Sequence, residues 1–219
     1  CLLKNLIFSK FDMKFYVISP PNYVPSFNAS NFDKVSDLVE IDYFQFRPKF
    51  QKLKDRIDFI SKYYEKISQI CRKKNIKLII NDDFEIAKIY KFDGIHLGQS
   101  DKSCINAKNT FGKNFIVGIS CENNLNNYHN SIKEGGDYVA FGPFYKSSNK
   151  NRDVINHSDF KKIRDKIMLP LILIGGIDHN NFLALKQFLP SNVAIIDALW
   201  NFNLGPVKSA ELFKQIINY

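Results

Sequence analysis

The chain has 219 residues, is 45% hydrophobic and 14% aromatic, and carries a formal net charge of +9 with a pI near 9.3. That length fits one large domain or two small ones with a sizeable core, and the basic balance favours anionic partners in general. The lysines are nevertheless scattered among acids with no nucleic-acid-binding module, and no apolar run reaches the length of a membrane span, so neither nucleic acid nor membrane is an expected partner.

Four cysteines, at 1, 71, 104 and 121, form no CxxC pair. They read as neither a disulfide framework nor a zinc site, which points to a reduced, cytoplasmic protein. Cys71, Cys104 and Cys121 fall in or beside expected helices, where burial accounts for them. Ala and Gly are scarce, so volume that many barrels fill with small residues must here be filled by larger ones.

The stretch Cys1 to Phe11 holds a short apolar run without a signal-like cleavage site. Residues 1–12 read as an extension ahead of the fold, and because the chain starts at Cys rather than Met its true N-terminus is expected to be missing or misassigned. From about residue 13, β-branched and aromatic runs recur: Phe15–Ser19, Tyr43–Arg47, Lys77–Ile80, Gly94–Leu97, Phe115–Ile119, Tyr138–Phe141, Leu171–Ile174 and Val193–Ile196. They read as continuous apolar runs, as buried parallel strands do. Amphipathic stretches lie between them. The clearest is Arg56–Lys73, with Ile57, Ile60, Tyr64, Ile67 and Ile70 on one stripe and Leu53 extending it backwards. The others are Phe84–Tyr90, Ser103–Phe111, Asn123–Glu134, Ser158–Lys166, Asn180–Phe188 and Pro206–Ile217. Residues 20–32 and 143–157 read as long loops. Eight strands alternating with helices predict a single-domain (β/α)8 TIM barrel, with an open doubly wound sheet as the alternative. The Ser19-Pro20-Pro21 that follows the first strand excludes a dinucleotide-binding glycine motif.

The polar clusters fall at the C-terminal ends of these strands, the face that carries the active site in this fold. Gln45, Arg47 and Lys49 alternate where the second run ends, and side chains two apart on a strand share a face. Asn81-Asp82-Asp83 follows the third run, Gln99 and Asp101 the fourth, and Ser120 the fifth. Ser147 to Lys150 lie in the loop after the sixth, Gly175-Gly176 follow the seventh, and Asp197 the eighth. Cations suit an oligophosphate, and the carboxylates of Asp82 and Asp101 suit Mg²⁺. The bland readings are that Asp82 or Asp83 caps the helix at Phe84, that Asp101 caps the next one, and that the Gly pair serves a tight turn. His96 reads as a core or supporting histidine, and no Ser-His-Asp arrangement is legible.

These residues resemble the thiamine phosphate synthase family, a (β/α)8 group that shares its superfamily with thiazole tautomerase. The likeness runs from Phe15 to about Ile217. It rests on Gln45-Phe46-Arg47-Pro48-Lys49, Ile80-Asn81-Asp82, the run from Asp93 to Asp101, Val117-Gly118-Ile119-Ser120, the run from Gly136 to Pro143, Lys150 and Ile174-Gly175-Gly176-Ile177. It implies a transferase of thiamine biosynthesis that joins 4-amino-5-hydroxymethyl-2-methylpyrimidine diphosphate to 4-methyl-5-(2-phosphooxyethyl)thiazole and releases pyrophosphate through a dissociative step. By the same likeness Arg47, Lys49, Lys150 and Ser120 are catalytic. Gln45, Asn81 and Ser147 join them around the pyrimidine diphosphate, and Gly176, Ile196 and Asp197 meet the thiazole phosphate. Mg²⁺ is expected on Asp82 and Asp101, and a homodimer is expected. The chain departs from the family's pattern at Pro48, Lys146, Ser147 and Asn149, and at Asp197, where the family often has Ser. A tautomerase-like enzyme and a catalytically silent phosphate-binding barrel are the competing expectations.

Overall fold

Residues 13–146 and 153–218 are described by the computed structural model. Eight parallel strands close into one barrel in sequence order, β1 pairing with both β2 and β8. The strands are β1 Lys14–Ile18, β2 Ile41–Phe46, β3 Lys77–Asn81, β4 Gly94–Leu97, β5 Ile116–Glu122, β6 Tyr138–Phe141, β7 Leu171–Ile174 and β8 Asn192–Ile195. The helices around them are α1 Ala29–Leu38, α2 Leu53–Lys73, α3 Phe84–Ile89, α4 Cys104–Phe111, α5 Leu125–Lys133, α6 His157–Arg164, α7 Asp197–Trp200 and α8 Pro206–Asn218. This is the expected TIM barrel rather than an open sheet, and the strand bounds move by no more than three residues.

Three elements depart from the sequence reading. Helix α1 lies partly inside the stretch read as a loop over 20–32. Its N-cap is Asn28, whose side chain accepts from the Asn31 N–H, and Phe32 and Val35 bury its inner face. The Asn and Ser residues that signal a loop are the same ones that cap helices, which is why composition hid the start. The stretch Asn180–Phe188, expected as an α-helix, is instead a 3-10 helix over Phe182–Phe188 that ends with Leu189 in the left-handed region. Pro190 follows, and a residue before proline is pushed out of the α region. The short α7 was also not anticipated.

Packing divides into two layers. The outer core, between strands and helices, is dominated by aromatics such as Phe15, Phe27, Phe44, Phe59, Phe141 and Trp200. On α2 the buried face includes Phe59 and Tyr63 as well as Ile60 and Ile67. The inner core fills the barrel with Tyr16, Ile18, Tyr138, Ala140, Ile172 and Ala194. Tyrosine rings take the space that the scarcity of Ala and Gly leaves open, so the barrel is a packed plug rather than a pore. Gly118 accommodates this directly, because a Cβ there would stand 1.9 Å from Cζ of Tyr138.

Cys71, Cys104 and Cys121 are buried free thiols, with Cys121 lying in β5 rather than beside a helix. Burial pushes them up to about 12, 12 and 11, well out of the reactive range.

Candidate active site

The open end of the barrel is built on the C-terminal tips of the strands. Ser19, fully buried at the end of β1, donates its N–H to the Gln45 carbonyl at 2.8 Å, and its hydroxyl accepts from the Arg47 N–H at 2.9 Å. Lys49 N–H then donates to the Pro21 carbonyl at 2.9 Å. These bonds carry the pairing of β1 and β2 past the last strand residue. They hold the backbone of Gln45, Arg47 and Lys49 extended, so alternate side chains keep a common direction.

Gln45 points into the barrel and is 2% exposed. Its amide donates to the Tyr16 hydroxyl at 2.8 Å, the Tyr16 and Tyr138 hydroxyls lie 2.8 Å apart, and the Tyr138 hydroxyl is 3.1 Å from Nδ1 of His96. A chain of polar groups thus crosses the barrel just below its mouth. Burial raises the pKa of both tyrosines. His96 keeps partial exposure at the mouth, yet the walls around it desolvate the ring and Arg47 and Lys49 add positive potential, lowering its pKa to about 4. His96 is therefore a neutral supporting histidine, as its place inside β4 suggests.

Around the rim, Asp82 adopts the left-handed region at φ 49°, and its N–H donates to the His96 carbonyl at 2.9 Å. Its carboxylate accepts from Lys49 Nζ at 2.7 Å and from the Asn81 amide. Asp83, one residue on, turns the other way. It caps α3 by accepting from the Ile86 N–H and pairs with Arg56 at 2.6 Å, buried beneath the rim. The same Arg56 donates to the carbonyls of Phe50 and Gln51, tying the loop after Lys49 to the turn after Asp82. Asp101 is not the cap of α4, a role taken by Ser103. Its carboxylate instead closes its own loop by accepting from the Gly98 N–H at 2.6 Å. Gln99 donates to the Ser120 carbonyl at 2.6 Å, and Ser120 sits on β5 paired with Ala140 of β6.

On the opposite side of the mouth the Gly pair serves the turn. Gly175 and Gly176 have φ of 104° and 62°, and a Cβ on Gly176 would meet the Tyr145 and Lys146 carbonyls at 2.6 and 2.5 Å. The loop after β6 is seated on this strand end by bonds from Phe144 N–H to Ile174 and from Tyr145 N–H to Gly175. Ile196 packs against the inner core, and Asp197 opens α7 with its Oδ1 accepting from the Asn201 amide at 2.8 Å. Trp200, at the other end of α7, donates to the Ile18 carbonyl and fixes that helix over β1. Ser147 and Lys150 lie outside the described residues.

Among the described residues no three His, Cys, Asp or Glu side chains converge. Asp82 and Asp101 stand on the ends of the adjacent strands β3 and β4 and are the carboxylates that could hold Mg²⁺. Sequence reading missed Tyr16, Tyr138 and Arg56. The two tyrosines are legible as inward positions two residues before Ile18 and Ala140, but treating each strand as a continuous apolar run conceals that alternation.

The thiamine monophosphate synthase family model matches residues 15–199. The chain belongs to this family. A thiamine-phosphate synthase of Pelagibacter ubique is 34% identical over 195 residues, covering 88% of this chain and 92% of the relative. One from Nitrosococcus oceani is 32% identical over 186 residues, covering 84% of each. Among solved structures, a thiamine phosphate pyrophosphorylase from Pyrococcus furiosus superposes with a TM-score of 0.77 at 22% identity, covering 95% of this chain and 97% of the other. At that identity the superposition speaks for the fold alone. The family's matched span takes in the described residues singled out around the mouth except Trp200 and Asn201 at the end of α7.

Proposed function

We infer that this chain joins 4-amino-5-hydroxymethyl-2-methylpyrimidine diphosphate to 4-methyl-5-(2-phosphooxyethyl)thiazole, giving thiamine phosphate and pyrophosphate. Family membership supports the reaction, and the observation that carries it to particular residues is the pairing of Lys49 with Asp82 on the barrel rim. In that pair one cation suited to a diphosphate meets one carboxylate suited to a divalent ion.

Departure of pyrophosphate leaves positive charge on the pyrimidine and negative charge on the leaving group. Arg47 can hold phosphate oxygens through its fork of donors, and Lys49 and Lys150 add point charges. Preorganised donors of this kind act on the charge that grows in the transition state. Gln45 and Asn81 place the pyrimidine diphosphate, with Ser120 beside them. The plugged barrel below, lined by Tyr16 and Tyr138, keeps bulk water from reaching the pyrimidine from underneath. Mg²⁺ bound by Asp82 and Asp101 would supply neutralising charge to the leaving pyrophosphate. Backbone N–H groups at Gly176 and Ile196-Asp197, with the hydroxyl of Ser147, complete the substrate contacts in this reading. The thiazole nitrogen is the nucleophile, so no protein nucleophile is required, in keeping with three buried, unreactive thiols.

The protein is read as a cytoplasmic homodimer. Family likeness and the frequency of two-fold oligomers support the dimer. For the location, among the described residues no helix is long and apolar enough to cross a membrane. Product formation from the two purified substrates, with and without Mg²⁺, tests the function, and sedimentation at micromolar concentration tests the dimer. Absence of thiamine phosphate under both conditions would leave the tautomerase-like and silent-barrel readings in its place.

A further inference from the structure

The polar chain below the mouth has a direction. An amide N–H can only donate, so the Gln45 contact uses a lone pair of the Tyr16 hydroxyl. The single proton of Tyr16 then has the Tyr138 oxygen, 2.8 Å away, as its acceptor. Tyr138, accepting there, is left with its own proton to give, and Nδ1 of His96 stands 3.1 Å from it. The rings support this order. Tyr138 stacks on His96 with centroids 5.6 Å apart and planes inclined by 19°, and Tyr16 packs on Tyr138 at 5.8 Å. The Tyr138 ring is also pinned over Gly118, where no larger residue would leave it room. Each hydroxyl is therefore held in place by packing as well as by hydrogen bonds.

A neutral imidazole carries one proton. If Nδ1 accepts, Nε2 must hold the hydrogen. Among the described residues His96 shows no partner for Nε2. The barrel below His96 is closed by Tyr16, Tyr138, Ile172 and Ala194, all at most 4% exposed, so its exposed edge faces the mouth.

We propose that Tyr16 and Tyr138 are positioning residues that polarise this relay and fix His96 as an Nε2–H donor to an acceptor atom of the pyrimidine substrate. The proposal rests on the functional reading above for its ligand, but the relay is a property of the protein alone. It also couples two contacts. Gln45 is oriented by the same chain that sets the His96 proton, so both sides of the floor present a fixed pattern to the ring. A relay preset before binding lowers the cost of ordering these groups around the substrate.

The test has two independent readouts. In protein labelled with ¹⁵N at histidine, two-bond ¹H–¹⁵N correlation should show His96 protonated at Nε2 and bare at Nδ1. Tyr138→Phe keeps the ring and removes the link, and should give a mixed His96 tautomer. The same variant should raise KM for the pyrimidine diphosphate about tenfold, the worth of one neutral hydrogen bond, with KM for the thiazole phosphate unchanged. Tyr16→Phe, further from the mouth, should do the same more weakly. Thermal unfolding of both variants identifies any fold loss, and if Tyr138→Phe fails to fold, the wild-type spectrum and Tyr16→Phe decide. Wild-type His96 protonated at Nδ1 would mean that the chain runs the other way and would overturn the proposal, as would a variant with an unchanged tautomer or unchanged pyrimidine KM. A wild-type protein with the Nε2–H signature but no synthase activity would overturn the functional reading instead.

Discussion

Lys49 Nζ lies 2.7 Å from Asp82 Oδ2, so the cation expected to meet a diphosphate and the carboxylate expected to meet a metal ion are bonded to each other across two neighbouring strand ends. With side chains 42% and 37% exposed, the pair is a rim contact of modest worth, well below 1 kcal/mol. It can be exchanged for a phosphate on Lys49 and an ion on Asp82 at little cost.

Activity should require Mg²⁺, and Asp82→Asn or Asp101→Asn should raise the Mg²⁺ concentration for half-maximal rate. Full activity in excess chelator would exclude the metal mechanism. Asp83→Asn is the control, and the structure sharpens what it should do. Asp83 caps α3 and holds Arg56; Asn keeps a side-chain oxygen for the cap but not the charge for Arg56, so the variant should leave the metal requirement unchanged and lower stability. The expected cost is about 2 kcal/mol by chemical denaturation, less than for a fully buried pair, because Arg56 keeps a quarter of its side chain in water.

Removing Arg47 or Lys150 should harm turnover far more than folding. One lost donor to charge developing in the transition state costs about 3 kcal/mol, or about a hundredfold in rate. Steady-state kinetics beside a denaturation curve checks this, and an R47A or K150A enzyme with unchanged turnover and substrate affinity would overturn the assignment.

Acid should destabilise the protein through His96. Its folded pKa, lowered to about 4 by desolvation and by Arg47 and Lys49, lies below the ordinary 6.5. Between those values the unfolded chain binds more protons than the folded one, so stability is lost as pH falls from about 6.5 towards 4 and is flat above. Denaturation curves across that range should show the slope, and His96→Asn should flatten it. An equal slope in the variant would place the acid sensitivity on other groups.

The barrel was legible because period and length sufficed: Gly94–Leu97, Tyr138–Phe141 and Leu171–Ile174 are strands at their expected bounds. The rim was legible because Gln45, Arg47, Asn81, Asp82 and Asp101 each follow an apolar run, and strand ends in a parallel barrel all open on one face. The floor was harder. Tyr16 and Tyr138 look like ordinary strand aromatics until closure of the barrel brings residues 122 positions apart within hydrogen-bonding distance. The link from Arg56 to Asp83 was hidden for the same reason, since it joins the start of one helix to the cap of the next. Helix α1 was obscured because its capping Asn28 sits in a Pro- and Ser-rich stretch.

Asp197 is the residue at odds with a phosphate site, since a carboxylate facing the thiazole phosphate would repel it. The structure gives one of its oxygens a partner on its own helix: Asn201 Nδ2 donates to Oδ1 at 2.8 Å. With the carboxylate drawn along α7 towards Asn201, its expected repulsion of a phosphate at the backbone end is that of unit charges a few ångströms apart in water, about 1 kcal/mol. Asp197→Ser should therefore change KM for the thiazole phosphate by less than about fivefold and leave KM for the pyrimidine diphosphate alone. Asn201→Ala removes this one hydrogen bond and should raise the thiazole phosphate KM, an increase that added Asp197→Ser should abolish. A tenfold fall in that KM for Asp197→Ser alone would show that the carboxylate faces the phosphate after all, and that this chain binds its thiazole substrate against a standing repulsion.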